Sequence, residues 1–237
     1  MKIHAYILCY NEEMILPFTL DYYSKFCEKI VLLDNESTDK SREIASRYSN
    51  VVVMSWSSNN EINDIAYTQI KSNVYKNSRD IADWVIVCDC DEFIYDIDCL
   101  KELKDKNIKL PKVEGYQMVS EYFPNYDGIS MTEKIRTGFR DTVFDKQIIF
   151  DPSVDITFGI GAHSFFCNEA VDLRHSPIKL LHYKYLGVDY VHSKNVRSLS
   201  RLSNFNKQYG FGDHYKNSLD QTKSNFLEYN KITGVVI

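Results

Sequence analysis

Two aspartates one residue apart close the run Trp84-Val85-Ile86-Val87-Cys88-Asp89-Cys90-Asp91-Glu92-Phe93. Along an extended chain, residues i and i+2 face the same side, so Asp89 and Asp91 can present two carboxylates to one target. Paired oxygen donors of this kind suit a hard divalent cation that carries substrate phosphates. The apolar residues before them have the length and character of a buried strand, and open α/β sheets bind ligands just past the carboxyl ends of their strands. The plainer account of the pair is an Asp-rich turn at a strand end, so the elements around it have to decide.

Those elements alternate. Ile3 to Cys9 reads as a strand, and Glu13 to Phe26 as a helix with Ile15, Phe18, Tyr22 and Phe26 on one face and Pro17 in its first turn. Lys29 to Leu33 is a second strand, with Ser37, Thr38 and Asp39 as candidate caps for a helix running to about Tyr48. Val51 to Met54 is a third strand, and Ile62, Ala66, Ile70 and Val74 mark a further helix before the fourth strand at Trp84. Strands separated by helices predict βαβ units and a mostly parallel sheet, an α/β fold. Beyond about residue 100 the pattern loosens. Gly115 to Phe123, Lys146 to Phe150 and Ile178 to Leu186 look like strands, and Val188 to Tyr209 like basic helical material. With no repeat and no low-complexity linker, the expectation is one composite domain over 1–237, its nucleotide-side half ending near residue 100.

In a parallel sheet three polar clusters would share one rim: Tyr10-Asn11-Glu12, Asp34 to Asp39, and Asp89-Cys90-Asp91. No Gly-rich phosphate loop is present, which leaves a metal as the expected phosphate-binding device. The net charge of −5 argues against wholesale binding to nucleic acid, although basic residues gather between Lys179 and Arg201. The six cysteines have no regular spacing, as expected of buried thiols in a reduced compartment. No stretch reaches the roughly 18 apolar residues of a membrane span. The chain opens directly on a strand-like run, so the expectation is a cytoplasmic protein, with peripheral work at the inner face of the membrane left open. Trp56 and the tyrosines at 122, 126, 183 and 185 are candidates for stacking on a sugar face.

The series Cys9-Tyr10-Asn11-Glu12-Glu13, Leu33-Asp34-Asn35-Glu36-Ser37-Thr38-Asp39 and Asp89-Cys90-Asp91-Glu92-Phe93 resembles the nucleotide-sugar half of family 2-like glycosyltransferases of the GT-A fold. The Asp-x-Asp-Glu-Phe form and the later His182-Tyr183 pair are similar to the subgroup related to family 92. The resemblance is specific over about residues 3 to 95 and thinner beyond. It implies transfer of a hexose from a nucleotide sugar, UDP-linked by preference, to a glycan or lipid-linked saccharide in bacterial surface polysaccharide assembly. It also implies Mn²⁺ or Mg²⁺. Tyr10, Asn11 and Glu12 would border the nucleotide, and Asp34 would bond its base or ribose. Asp89 would reach the ribose or the metal, and Asp91 would bind the metal. His182 would complete the metal shell, with His163 as second choice. Lys146, Lys184, Lys194 and Arg197 are candidates for contacts to phosphate.

Transfer with inversion needs a base beside the acceptor hydroxyl. Glu121 and Asp127 are the candidates, although the Glu-Asp dipeptide that marks the base in family 2 enzymes is absent. Asp-x-Asp also serves phosphatases and phosphotransferases of the haloacid dehalogenase type, but there it ends the first strand rather than the fourth. Nucleotidyltransferases open with a Gly-rich basic loop, which Cys9-Tyr10-Asn11-Glu12 is not. A catalytically inactive glycan-binding domain would be expected to have lost one of the carboxylates; both are present, with Asp34.

Overall fold

The computed structural model describes residues 1–167, 169–170 and 176–237. Its first part runs β1 (Ile3–Cys9), α1 (Leu16–Ser24), β2 (Lys29–Asp34), α2 (Ser41–Ala45), β3 (Val51–Ser55), α3 (Asp64–Val74) and β4 (Trp84–Asp89). Then follow β5 (Glu92–Tyr95), α4 (Leu100–Asp105), β6 (Glu114–Ser120), α5 (Met131–Lys134), β7 (Thr137–Arg140), β8 (Ile149–Phe150), β9 (Ile156–Phe158) and β10 (Phe165–Cys167). The chain ends with β11 (Lys179–Leu186), α6 (Val188–Ser200), α7 (Asn204–Tyr209), α8 (Leu219–Ile232) and β12 (Gly234–Val235).

The expected α/β class is what forms. One sheet has the order β3-β2-β1-β4-β8, its first three pairings parallel and the short β8 antiparallel at the edge. β1, β2 and β4 are covered on both faces, which is why their sequences are nearly unbroken apolar runs and not alternating ones. A second sheet, β12-β7-β6-β11-β5, is antiparallel except where β6 meets β11. One apolar core joins the two, with Ile7, Ile86, Phe93, Leu181 and Tyr183 all buried in it. Among the described residues no helix is long and apolar enough to cross a membrane.

Several expected elements come out shorter, among them α1, which spans Leu16–Ser24 and not Glu13 to Phe26, and β6, which ends at Ser120; two more have a local cause. α2 has five residues because the turn before it is tied to the loop after β1. Asn11 Oδ1 accepts from the Thr38 amide at 2.7 Å, Ser37 Oγ from the Asn11 amide at 2.9 Å, and Asp39 Oδ2 from the Glu13 amide at 3.0 Å. The stretch expected as a strand from Lys146 pairs only at Ile149–Phe150, since Lys146 closes a tight turn onto the Phe144 carbonyl.

The decisive local feature is the exit from β4. The chain turns at Cys90–Asp91 and enters the second sheet as β5, so the extended geometry expected to align Asp89 with Asp91 does not persist. Helix α1 holds this crossing: Thr19 Oγ1 donates to the Cys90 carbonyl at 2.6 Å, Tyr23 Oη to that of Glu92 at 2.7 Å, and Tyr22 Oη to that of Ile94 at 2.6 Å. Tyr22, Tyr23 and Tyr183 also surround the Phe93 ring. Much of the aromatic surplus is therefore core. Tyr183 is fully buried and out of reach of any sugar, whereas Tyr122 and Tyr126 are exposed.

Candidate active site

The ends of β1 and β4 open into a cavity of about 470 Å³. Two helices wall it with stripes at i, i+3, i+4, i+7 spacing: Asp64, Tyr67, Thr68 and Lys71 from α3, and Val191, Lys194, Asn195 and Ser198 from α6. The helices are pinned near their ends. Asn63 caps α3 by accepting from the Ile65 and Ala66 amides, and Asn206 of α7 accepts from the Asp64 amide and donates to its carboxylate. Six basic side chains line the cavity against four acidic ones, a surplus suited to an anionic ligand.

Asp91 sits at the centre. Its Oδ2 is 2.9 Å from Lys194 Nζ and 3.6 Å from His182 Nε2. Burial alone would push its carboxyl up, but Lys194 and His182 hold it well below the usual range. Lys194 Nζ is also 2.9 Å from Glu12 Oε1. Of the two carboxylates sharing this ammonium, Glu12 takes the upward shift, driven by burial and by Asp91 against the pull of Lys194 and Arg197.

His182 is oriented from behind. Gln117 Nε2 donates to Asp141 Oδ2 at 2.9 Å, which turns Gln117 Oε1 toward His182 Nδ1 at 2.8 Å. Nδ1 therefore carries a hydrogen and Nε2 is left facing Asp91, where a proton on it makes an ion pair and, with that proton gone, its lone pair is free for a metal ion. Phe144 stacks on the ring at 4.4 Å. Nε2 and the carboxylate oxygen stand 3.6 Å apart, and adjacent ligands of one ion with bonds of about 2.1 Å would stand about 3.0–3.4 Å apart, so a small approach would let both bind one cation beside Lys194. Of the side chains in the cavity, these two are the ones that could hold a hard divalent ion. Asp89 does not join it, and among the described residues no three Asp, Glu, His or Cys side chains form a metal-binding group. As a metal ligand Asp89 is thus displaced by the turn at Cys90.

Asp89 instead pairs with the buried Lys71, Oδ1 to Nζ 2.7 Å. Behind it Glu92, also buried, accepts from the Asp89 amide at 2.9 Å and pairs with Lys146 Nζ at 2.7 Å. Burial opposes ionisation of Glu92, yet Lys146, Lys71 and His182 hold it down to about 2. Lys71 in turn stays protonated despite burial because Asp89 and Glu92 face it.

Two cations at the wall have no carboxylate partner among the described residues. Arg201 stacks on the Tyr10 ring, its guanidinium 3.1 Å from the centroid, and donates from Nε to Asn60, while its buried Nη2 has no partner. Lys184 lies at a β-bulge where β11 slips against β6 between His182 and Tyr185. Burial, with Lys194 and Lys146 adding to it against Asp91, pushes the Lys184 amine down to about 8. Burial and the charges of Lys184 and His182 push His214, on the neighbouring turn, down to about 4.

Of the expected site residues, Tyr10, Glu12, Asp89, Asp91, Lys146 and His182 line this cavity, and so does His163, whose Nδ1 is 2.8 Å from the Val143 carbonyl oxygen. Asn11 and Asp34 do not. Asn11 fastens two loops, and the fully buried Asp34 pairs with Arg42 at 3.0 Å and accepts from the Ser37 amide. Glu121 and Asp127 are not brought to the cavity either. Glu121 borders a separate hollow of about 220 Å³ with Lys134 and Asn230, and Asp127 pairs with Lys134 at 2.8 Å. Lys71, Gln117, Arg201 and His214 went unread in the sequence. The signal for Lys71 was a polar stripe running beside the apolar one on α3; Gln117 gave none.

No protein-family model matches the chain, and no curated protein is detectably similar to it. Among solved structures it is similar to glucosyl-3-phosphoglycerate synthase from Mycobacterium tuberculosis, in complex with Mn²⁺, UDP and glucosyl-3-phosphoglycerate, at 18% identity and a TM-score of 0.34. That match covers 48% of this chain and 44% of the synthase, less than half the length of either. It is also similar to 4-diphosphocytidyl-2C-methyl-D-erythritol synthase from Anaerococcus prevotii, at 16% identity and a TM-score of 0.35, over 64% of this chain and 70% of that one. Likeness at this level identifies no family.

Proposed function

We propose that this chain is a divalent-metal-dependent glycosyltransferase that takes a sugar from a UDP-linked donor and passes it to a glycan hydroxyl. One observation carries the reading: Asp91 and a tautomer-fixed His182 converge at 3.6 Å on the rim of a parallel sheet, inside a cavity with a surplus of positive charge. When bound there, Mn²⁺ or Mg²⁺ offsets the charge that builds on the departing diphosphate. The chain's own residues do the rest. Tyr10 and Arg201 form the donor-side wall, where the free Nη2 awaits an acceptor oxygen. Lys194 adds a fixed positive charge beside the leaving group. The Asp89–Lys71 and Glu92–Lys146 pairs brace the floor beneath it. Neither Glu121 nor Asp127 is assigned the proton transfer, because neither lines the cavity.

Calorimetric titration of UDP, with GDP as control and with or without Mn²⁺, tests this reading. UDP is expected to bind tightly only with the metal, and Asp91→Asn to weaken that binding by about 100-fold while the protein stays folded. Binding of neither nucleotide under any condition would remove the donor site.

A further inference from the structure

The charges in the cavity wall are not evenly satisfied. Lys71 is paired with Asp89, Lys146 with Glu92, Lys194 with Glu12 and Asp91, and Arg197 with Glu12. Among the described residues Arg201 and Lys184 remain without a carboxylate, and they belong to different parts of the wall. Arg201 stands over Tyr10, at the end of a strand of the first sheet. Lys184 projects from β11 of the second sheet, beside His182.

The position of Lys184 is built. At the bulge, His182 pairs with Gln117 and Tyr185 with Val119, so Tyr183 and Lys184 together stand opposite the single residue Met118. Tyr183 fills the core, Tyr185 packs on Tyr229 and Phe226, and Lys184 is left facing the cavity. The acid nearest in the adjoining turn, Asp213, is held by Lys216 at 2.5 Å. A half-buried ammonium with no counter-ion is costly unless a ligand supplies one.

Resting on the donor reading of the same cavity, we infer that the acceptor carries an anionic group, a phosphate or a carboxylate, bound by Lys184 with His214 beside it. The donor diphosphate then meets the Arg201 side of the cavity, and the acceptor anion meets the second-sheet side. This narrows the acceptor from any glycan hydroxyl to a phosphorylated or acidic molecule.

The test uses sn-glycerol 3-phosphate and D-glucuronate as probes, with glycerol and D-glucose as uncharged controls, titrated into the full chain with and without saturating UDP and Mn²⁺. At least one anionic probe is expected to bind the UDP-loaded protein about tenfold or more tightly than its uncharged control. Lys184→Met should lower that affinity by about tenfold or more and Lys184→Arg by much less, with UDP affinity within about twofold of wild type in both. Binding of glycerol phosphate alone assigns a phosphate, of glucuronate alone a carboxylate, and of both a site that reads charge. The inference is overturned if no anionic probe outbinds its control, if Lys184→Met binds as wild type does, or if the probe displaces UDP. Lys184-dependent anion binding by a protein that binds no UDP would instead overturn the donor reading and leave the anion site standing.

Discussion

In the proposed metal site the orientation of His182 rests on one neighbour, Gln117. Gln117 is buried, and its amide is committed at both ends, to Asp141 and to His182 Nδ1. Replacing it by Leu keeps the volume but frees the imidazole to rotate and exchange tautomers. Gln117→Leu is expected to weaken Mn²⁺ binding by about 10–100-fold, read by titration of the metal into the UDP complex, while the unfolding midpoint moves little. An unchanged metal affinity would make the Gln117–His182 bond mere packing. This contact shows why the choice between His163 and His182 was hard to make from sequence. Both line the cavity with Nδ1 against an amide oxygen, and what separates them is that His182 Nε2 faces Asp91 at 3.6 Å, a carboxylate 91 positions away. The same holds for Asp89. The spacing of two carboxylates is visible in a sequence, but the turn at Cys90 that sends them to different lysines is fixed by the hydroxyls of α1.

At the scale of elements, the parallel half was legible because strands covered on both faces must be apolar throughout, and the helices between them carry a second period. The other half was legible only in its long elements, the strands β6 and β11 and the helical stretch after them. Its remaining strands have two to four residues and depend on close approaches that leave no periodic trace. Gly115 is such a place: a Cβ there would run into the backbone carbonyl of Phe144, whose ring stacks on His182 and lies beneath Lys146. Gly115→Ala is therefore expected to cost about 1–3 kcal/mol in denaturant unfolding and to weaken metal-dependent UDP binding several-fold, although residue 115 does not line the cavity. Gly234→Ala, with open space around its Cβ, serves as the control. Equal stability and equal UDP binding in the two variants would detach the Phe144 turn from the site.

The molecule as a whole makes its site by bringing the first sheet against a C-terminal helix. Lys194 of α6 reaches Glu12 after β1 and Asp91 after β4, and the backbone of Ile62 bonds to Arg201 and Ser203 at the end of the same helix. The basic stretch was visible in the sequence as composition, and its docking was not, because nothing local says which carboxylates a lysine will find. All of this geometry converges on the Asp91–His182 pair. The most direct test is anomalous scattering at the manganese edge from crystals grown with UDP and Mn²⁺. The account predicts one peak about 2.0–2.4 Å from both an Asp91 carboxylate oxygen and His182 Nε2, with UDP phosphate oxygens in the same shell. Manganese bound through Asp89 without His182, or touching neither member of the pair, would contradict it.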